Sequence, residues 1–167
     1  PESMLCNPSH KFIVHYILSR ARIRAVISVH ENLFQPHTHA KVAVVLVEKF
    51  KGKARKHDHD VFMAVARWCG HDSRGHEIPH DDLPKIGDRW ERFMQGEKLD
   101  FDHFGFTVKA SDIVDNIYLP KYYNPEIADG LARLKETHEL ATLGDLAAAG
   151  VLSVGTGDEV GKLSYGT

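Results

Sequence analysis

Two β-branched apolar runs, Ile23 to Val29 and Lys41 to Phe50, flank a loop of about ten residues, Glu31-Asn32-Leu33-Phe34-Gln35-Pro36-His37-Thr38-His39. This arrangement constrains the fold more than any other stretch. Runs of this length and chemistry predict strands. The near-continuous Val42-Ala43-Val44-Val45-Leu46-Val47 predicts a strand covered on both faces, as inside an α/β sheet. A third strand is expected at Val61 to Ala66, beyond the very polar Lys51 to Asp60.

Helical signals surround these strands. Asn7-Pro8 joins a capping side chain to a proline at the first helical position, and Phe12, Ile13, Tyr16 and Ile17 follow at helical spacing. A helix is expected from about Pro8 to Arg20. Leu83 to Gly96 predicts another, with Ile86, Trp90 and Phe93 on one face. Between the third strand and that helix, Trp68 to Asp82 reads as a long Gly/His/Asp loop. Around 99–117 the pattern weakens to a short strand near Phe106 and an irregular connection, and a boundary is expected there. Asn124-Pro125-Glu126 opens a helix with Ile127, Leu131 and Leu134 on one stripe. Thr142-Leu143-Gly144-Asp145 reads as a capping box before an Ala-rich helix that Gly150 closes.

Composition narrows the class. With 167 residues, 43% hydrophobic and 26% charged, the chain is of ordinary globular type, which excludes a disordered tail, a fibre or a disulfide-stapled miniprotein. A net charge of −2 means that any nucleic-acid contact must come from local patches. Two cysteines, Cys6 and Cys69, make no disulfide framework and point to the cytoplasm. No apolar run has the length of a membrane span, and no signal peptide is visible. The ends, Pro1-Glu2-Ser3 and Ser164-Tyr165-Gly166-Thr167, read as those of a fragment.

Three constellations are candidates for chemistry. Phe34, in a loop stiffened by Pro36, can stack on a planar ligand such as an extruded base, or can plug the sheet end as core. Lys49, Lys51, Lys53, Arg55 and Lys56 can contact a DNA backbone, or form a solvated turn. Twelve histidines include His37-x-His39 and His57-x-His59, with Asp58, Asp60, Asp72, Asp81 and Asp82 nearby, but no zinc spacing is present. No metal ligand is assigned. There is no Gly-x-Gly-x-x-Gly, no Gly-Lys-Ser/Thr and no Gly-x-Ser-x-Gly.

Several stretches agree in order with a known family. Pro1-Glu2-Ser3, Asn7-Pro8-Ser9, Ile23 to Val29, Glu31 to Thr38 and Lys41 to Leu46 resemble the adenine-N6 DNA methylase domain of type I restriction–modification methylation subunits. Phe62-Met63-Ala64-Val65-Ala66-Arg67-Trp68-Cys69-Gly70-His71-Asp72-Ser73-Arg74-Gly75 and Asp81-Asp82-Leu83-Pro84 are similar to the same family. Together they cover about residues 1–95. Pro120-Lys121-Tyr122-Tyr123, Thr142 to Leu146 and Gly155 to Gly161 resemble the approach to a target-recognition region of specificity subunits.

The resemblance implies an α/β fold: the C-terminal portion of a Rossmann-like methyltransferase sheet, then a mostly helical linker and the start of a second domain. The implied divisions are 1–98, 99–141 and 142–167. Ile23–Val29 and Lys41–Phe50 would form the antiparallel hairpin of the family's last two strands. Phe34 would stack on the flipped adenine, with Pro36 and Thr38 shaping that wall. The implied reaction is methyl transfer from S-adenosylmethionine to adenine N6 of DNA. The implied partners are DNA, the missing N-terminal half, and specificity or nuclease components.

The family's Gly-rich cofactor loop and its Asn/Asp-Pro-Pro-Phe/Tyr motif are absent; Asn7-Pro8-Ser9 lacks the second proline and the aromatic. Both are expected upstream of Pro1, so no catalytic or cofactor residue is assigned and the chain alone is expected to be inactive. His39 also stands where the family often has glycine. A DNA-binding or assembly module without catalysis, and a His/Asp metal hydrolase, are the alternatives. Strands without their neighbours predict an exposed sheet edge and self-association.

Overall fold

The computed structural model describes residues 1–51, 58–100, 102–153 and 155. It divides into two compact units, 1–129 and 130–167.

The first unit is built on a four-stranded sheet in the order β2-β1-β3-β6. β1 (Ala21–Ser28) and β3 (Asp60–Val65) are parallel and central. β2 (Ala43–Lys49) pairs antiparallel with β1, as the two apolar runs predict. β6 (Phe106–Lys109) pairs antiparallel with β3. The β1–β2 hairpin is therefore not the last pair of strands, because β3 and β6 follow it into the same sheet.

Strand periodicity of two sorts the central side chains between two cores. Ile23, Val26, Val61, Met63 and Phe106 meet Leu5, Val14 and Tyr118 in one cluster. Ala25, Phe62, Ala64 and Ala66 meet Ile86 and Leu99 in the other, with Trp90 and Phe93 packed against it. A register shift between Ile23 and Ala25 lets Ile23 and Val26 serve the same core. On the Ile86 side lies α2 (Leu83–Met94), whose Ile86, Trp90 and Phe93 form the expected face. On the other lies α1 (Lys11–Leu18). The helix expected over 8–20 is split: Asn7 Oδ1 caps a 3₁₀ turn, Pro8–His10, and α1 follows it.

Two expectations are corrected. β2 is not covered on both faces. Among the described residues it is an edge strand, and Val44, Leu46 and Val47 are exposed because the two cores centre on β1 and β3 and only Ala43 and Val45 of β2 pack against one of them. Residues 68–82 are not an unstructured loop: β4 (Cys69–His71) and β5 (Glu77–Asp81) form an antiparallel hairpin. Its turn is organised by the Asp72 carboxylate, whose Oδ1 accepts the backbone N–H groups of Arg74 and His76 at 2.8 and 3.0 Å. Gly75, at φ +84°, supplies the left-handed residue the turn requires.

α3 (Pro125–Thr137) and α4 (Leu143–Ala148) bury none of their residues. Thr142 and Asp145 make the expected capping box, and Gly150 at φ +71° follows α4. Among the described residues no helix is long and apolar enough to cross a membrane.

Candidate functional site

In an α/β sheet, ligands gather beyond the carboxyl ends of the parallel strands. Here those ends are Ser28 of β1 and Val65 of β3, which are neighbours in the register. The segments that leave them are the 29–42 loop and the β4–β5 hairpin.

The loop is tightly organised. His30 Nδ1 accepts the N–H of Asn32 at 3.1 Å and caps a 3₁₀ turn, Glu31–Phe34. The carbonyl of Phe34 then accepts the N–H groups of His37 and Thr38 at 3.0 and 3.1 Å. Thr38 Oγ1 accepts the N–H of Ala40 at 3.1 Å, and Val29 N–H to Val42 O closes the loop. Phe34 is 42% exposed and belongs to neither core cluster, so it is not a core plug. Pro36 beside it is exposed and Thr38 is half-buried.

Past β3, the buried Asp82 carboxylate accepts two successive backbone N–H groups, Arg67 at 2.7 Å and Trp68 at 3.1 Å. This fixes the start of the hairpin to the start of α2. Behind it, His103 Nδ1 lies 2.8 Å from Glu126 Oε1, and His103 Nε2 lies 3.9 Å from Asp82 Oδ2. Arg67 is ion-paired to Glu126 through the second carboxylate oxygen. Partial burial raises the Glu126 pKa, but the His103 and Arg67 hydrogen bonds outweigh that and hold it below its ordinary value. Asp72 is lowered to about 2 by the backbone N–H groups of His76 and Arg74 and by the His76 side chain.

A cleft of about 650 Å³ opens between the loop and the hairpin, lined among others by Leu33, Gln35, Cys69, His71, Glu77 and Asp81. It offers one amide and two carboxylates, which are groups that read the edge of a heterocycle. Against the indole of Trp68 pack two imidazoles, His30 with ring centroids 6.0 Å apart and planes 10° from parallel, and His80 at 5.4 Å.

The cationic candidates lie elsewhere. Lys49 pairs with Ala21, the first residue of β1, so it sits at the end of the sheet opposite Phe34. Lys51 is exposed just beyond it, and Lys53, Arg55 and Lys56 lie outside the described residues. The histidine pairs are likewise separated: His37 and His39 belong to the loop, whereas His59 Nε2 bonds the Ile23 carbonyl near the opposite end, and His57 is outside the described residues. Among the described residues, no three His, Cys, Asp or Glu side chains converge to hold a metal.

Sequence reasoning did not find Trp68, Asp82, His103 and Glu126 as site residues. Trp68 and Asp82 meet across the base of the β4–β5 hairpin, and the return through β6 brings His103, with Glu126 bonded to it, beside them. The one local signal was Asp81-Asp82-Leu83-Pro84, acidic residues directly before a helix that opens on proline.

Comparison with known proteins adds to this geometry. The family model described as N-6 DNA methylase matches residues 2–128. Among solved structures, this fold is similar to a chain described under "Structural basis underlying complex assembly and conformational transition of the type I R-M system", with TM-score 0.55 and 17% identity. The match covers 90% of this chain and 31% of that one, so the sequence spans about a third of its neighbour's length. No curated protein matches. The matched residues 2–128 contain the whole four-stranded sheet, the Phe34 loop and the β4–β5 hairpin, and the chain belongs to the N-6 DNA methylase family.

Proposed function

We propose that this chain forms part of a restriction–modification DNA methyltransferase that transfers a methyl group from S-adenosylmethionine to adenine N6. Its role is to present the target base. The observation that carries this reading is the position of Phe34: half-exposed, held by its own carbonyl, and at the carboxyl end of a parallel strand inside the matched region. An extruded adenine stacks on that ring, and Pro36 and Thr38 form the adjoining wall.

Among the described residues, the glycines with positive φ do not form the family's Gly-rich cofactor turn. These glycines, Gly70, Gly75, Gly96 and Gly150 among the described residues, lie in the hairpin and after α2 and α4. None forms a turn from a parallel strand into a helix. No step is therefore routed through S-adenosylmethionine here; its binding belongs to another part of the catalytic unit. The chain alone is expected to transfer no methyl group.

The remaining partners follow from the same reading. Residues 142–167 lead towards target recognition, and 99–141, which first complete the sheet of the 1–98 methylase part with β6, connect it to that segment. DNA and the specificity or nuclease components of a cytoplasmic restriction–modification assembly are the partners. The test uses the complete methyltransferase containing this chain, with methyl incorporation into DNA as the readout. Phe34→Ala is expected to lower kcat/KM by about 10- to 100-fold, the scale of one lost base–aromatic stack. Full activity in that variant overturns the role of Phe34, and methyl transfer by the 167-residue chain alone overturns its dependence on other parts.

A further inference from the structure

The outer edge of β2 is apolar and open at the same time. Val44-Val45-Leu46-Val47 carries no charge before Glu48, and Val44, Leu46 and Val47 are exposed. Strand edges are normally blunted by charge, proline or a bulge. Here the extra residue of the register shift lies in β1, between Ile23 and Ala25, and β2 runs past it regularly. Val29 N–H donates to Val42 O at 3.1 Å, so the Val42 carbonyl points to β1. Successive residues of a strand turn their backbone groups to opposite sides. Val44 and Leu46 therefore also face β1, whereas Lys41, Ala43, Val45 and Val47 turn their N–H and C=O groups outward. Among the described residues no strand meets that side of β2.

The outward carbonyl of Lys41 does have a partner: it accepts the N–H of Glu2 at 2.9 Å. Glu2 is firmly held. It is 7% exposed, its carboxylate lies 3.3 Å from Lys121 Nζ, and Leu5 just after it enters the core with Val14 and Tyr118. The first residues thus already lie on the outer side of β2, at its Lys41 end. A segment that reaches Glu2 along this edge runs from the Lys49 end to the Lys41 end, antiparallel to β2 and parallel to β1 and β3. A second copy paired edge to edge would meet Pro1 and Glu2 at that end and cover only the remainder. Resting on the reading of this chain as part of a methyltransferase whose cofactor binding lies in another part, we propose that the outer edge of β2 is the seam between the two parts. An apolar strand of the cofactor-binding part, leading into Glu2, adds to β2 and makes it an interior strand. The carboxyl end of that strand falls beside those of β1 and β3, at the same end of the sheet as Phe34.

The test is amide hydrogen exchange read residue by residue along β2, in the 167-residue chain at high dilution and in the complete methyltransferase. In the chain alone, Val45 and Val47 are expected to exchange about 100-fold faster than Val44 and Leu46, as solvent-facing edge amides do. In the complete protein all four are expected to be slow. Val47→Pro gives an independent readout, because proline is tolerated where the missing N–H faces solvent and not inside a sheet. It is expected to leave the thermal midpoint of the chain alone nearly unchanged and to lower that of the complete protein. Val45 and Val47 amides that stay fast in the complete protein overturn the seam and leave the methylase reading standing. Protection in the complete protein that fades on dilution means that a second copy fills the edge, and overturns it as well. A complete protein that shows the expected protection yet transfers no methyl group overturns the methylase reading and leaves the pairing of β2 standing. Should Val47→Pro unfold the chain alone, the exchange decides the matter by itself.

Discussion

β2 and β3 are written in nearly the same alphabet. Val61-Phe62-Met63-Ala64-Val65 of β3 is buried to the last side chain, whereas Val44-Val45-Leu46-Val47 of β2 leaves Val47 52% exposed. The difference lies in their neighbours. β3 has a strand on each side, and both its faces are covered, by the Ile86 and Trp90 cluster and by the Val14 and Tyr118 cluster. β2 has β1 on one side and no strand on the other among the described residues. Apolarity therefore specifies that a segment is a strand, while position in the sheet specifies how much that apolarity stabilises.

The contrast can be broken most directly at its two extremes. Phe62→Ala empties a site packed against Trp90 and Phe93, and is expected to cost about 3–5 kcal/mol in urea denaturation. Val47→Ala on the exposed edge is expected to stay within about 0.5 kcal/mol of the parent. Equal costs would erase the distinction between centre and edge. A Val47→Lys change sharpens it, because a charge on an open strand edge blocks edge-to-edge pairing. Sedimentation should show less self-association in that variant, with the denaturation midpoint unmoved.

Next in size is the ionic group behind the hairpin. The Glu126 pKa is below its unfolded value, so its contribution is fully present above the ordinary carboxylate range. That contribution is lost as pH falls through the folded value. Because the carboxylate is about one-third exposed, solvent screening limits the effect to about 1 kcal/mol or less. Glu126→Gln should flatten the fall in stability between neutral and acid pH, and a parallel curve would show that Arg67 and His103 do not depend on its charge.

A small effect of the opposite sign is expected at Ser28, buried in β1 beside β3 with no partner for its hydroxyl. Ser28→Ala should be neutral or stabilising by up to about 1 kcal/mol, since it removes a desolvated polar atom without opening a large cavity. A clear loss of stability would assign that hydroxyl a bond the structure does not show.

The strands, α2 and the capping box were legible because each rests on local signals: β-branched runs, an Ile86–Trp90–Phe93 stripe, and a Thr142–Asp145 pair. The Phe34 loop was legible for the same reason, as an aromatic beside a proline between two strand signals. The β4–β5 hairpin was not, because its Gly, His, Asp and Pro residues carry no apolar alternation; backbone pairing and the Asp72 carboxylate hold it. The open edge of β2 was hidden because no side chain in it reports how many strands will pair. Trp68 was hidden because its stack joins His30 and His80 from the two sides of a parallel crossover. The basic run was visible as charge, but its start at the far end of the sheet became known only from the Lys49–Ala21 register.

The proposed function puts DNA at the carboxyl ends of β1 and β3, and amide hydrogen exchange of the chain with and without a DNA duplex tests that directly. Protection is expected in the 30–38 loop and the 66–82 hairpin, with 49–56 unchanged. Protection confined to 49–56, with the Phe34 and Trp68 segments exchanging as in the free protein, would contradict the assignment of the DNA-facing end to the carboxyl ends of β1 and β3.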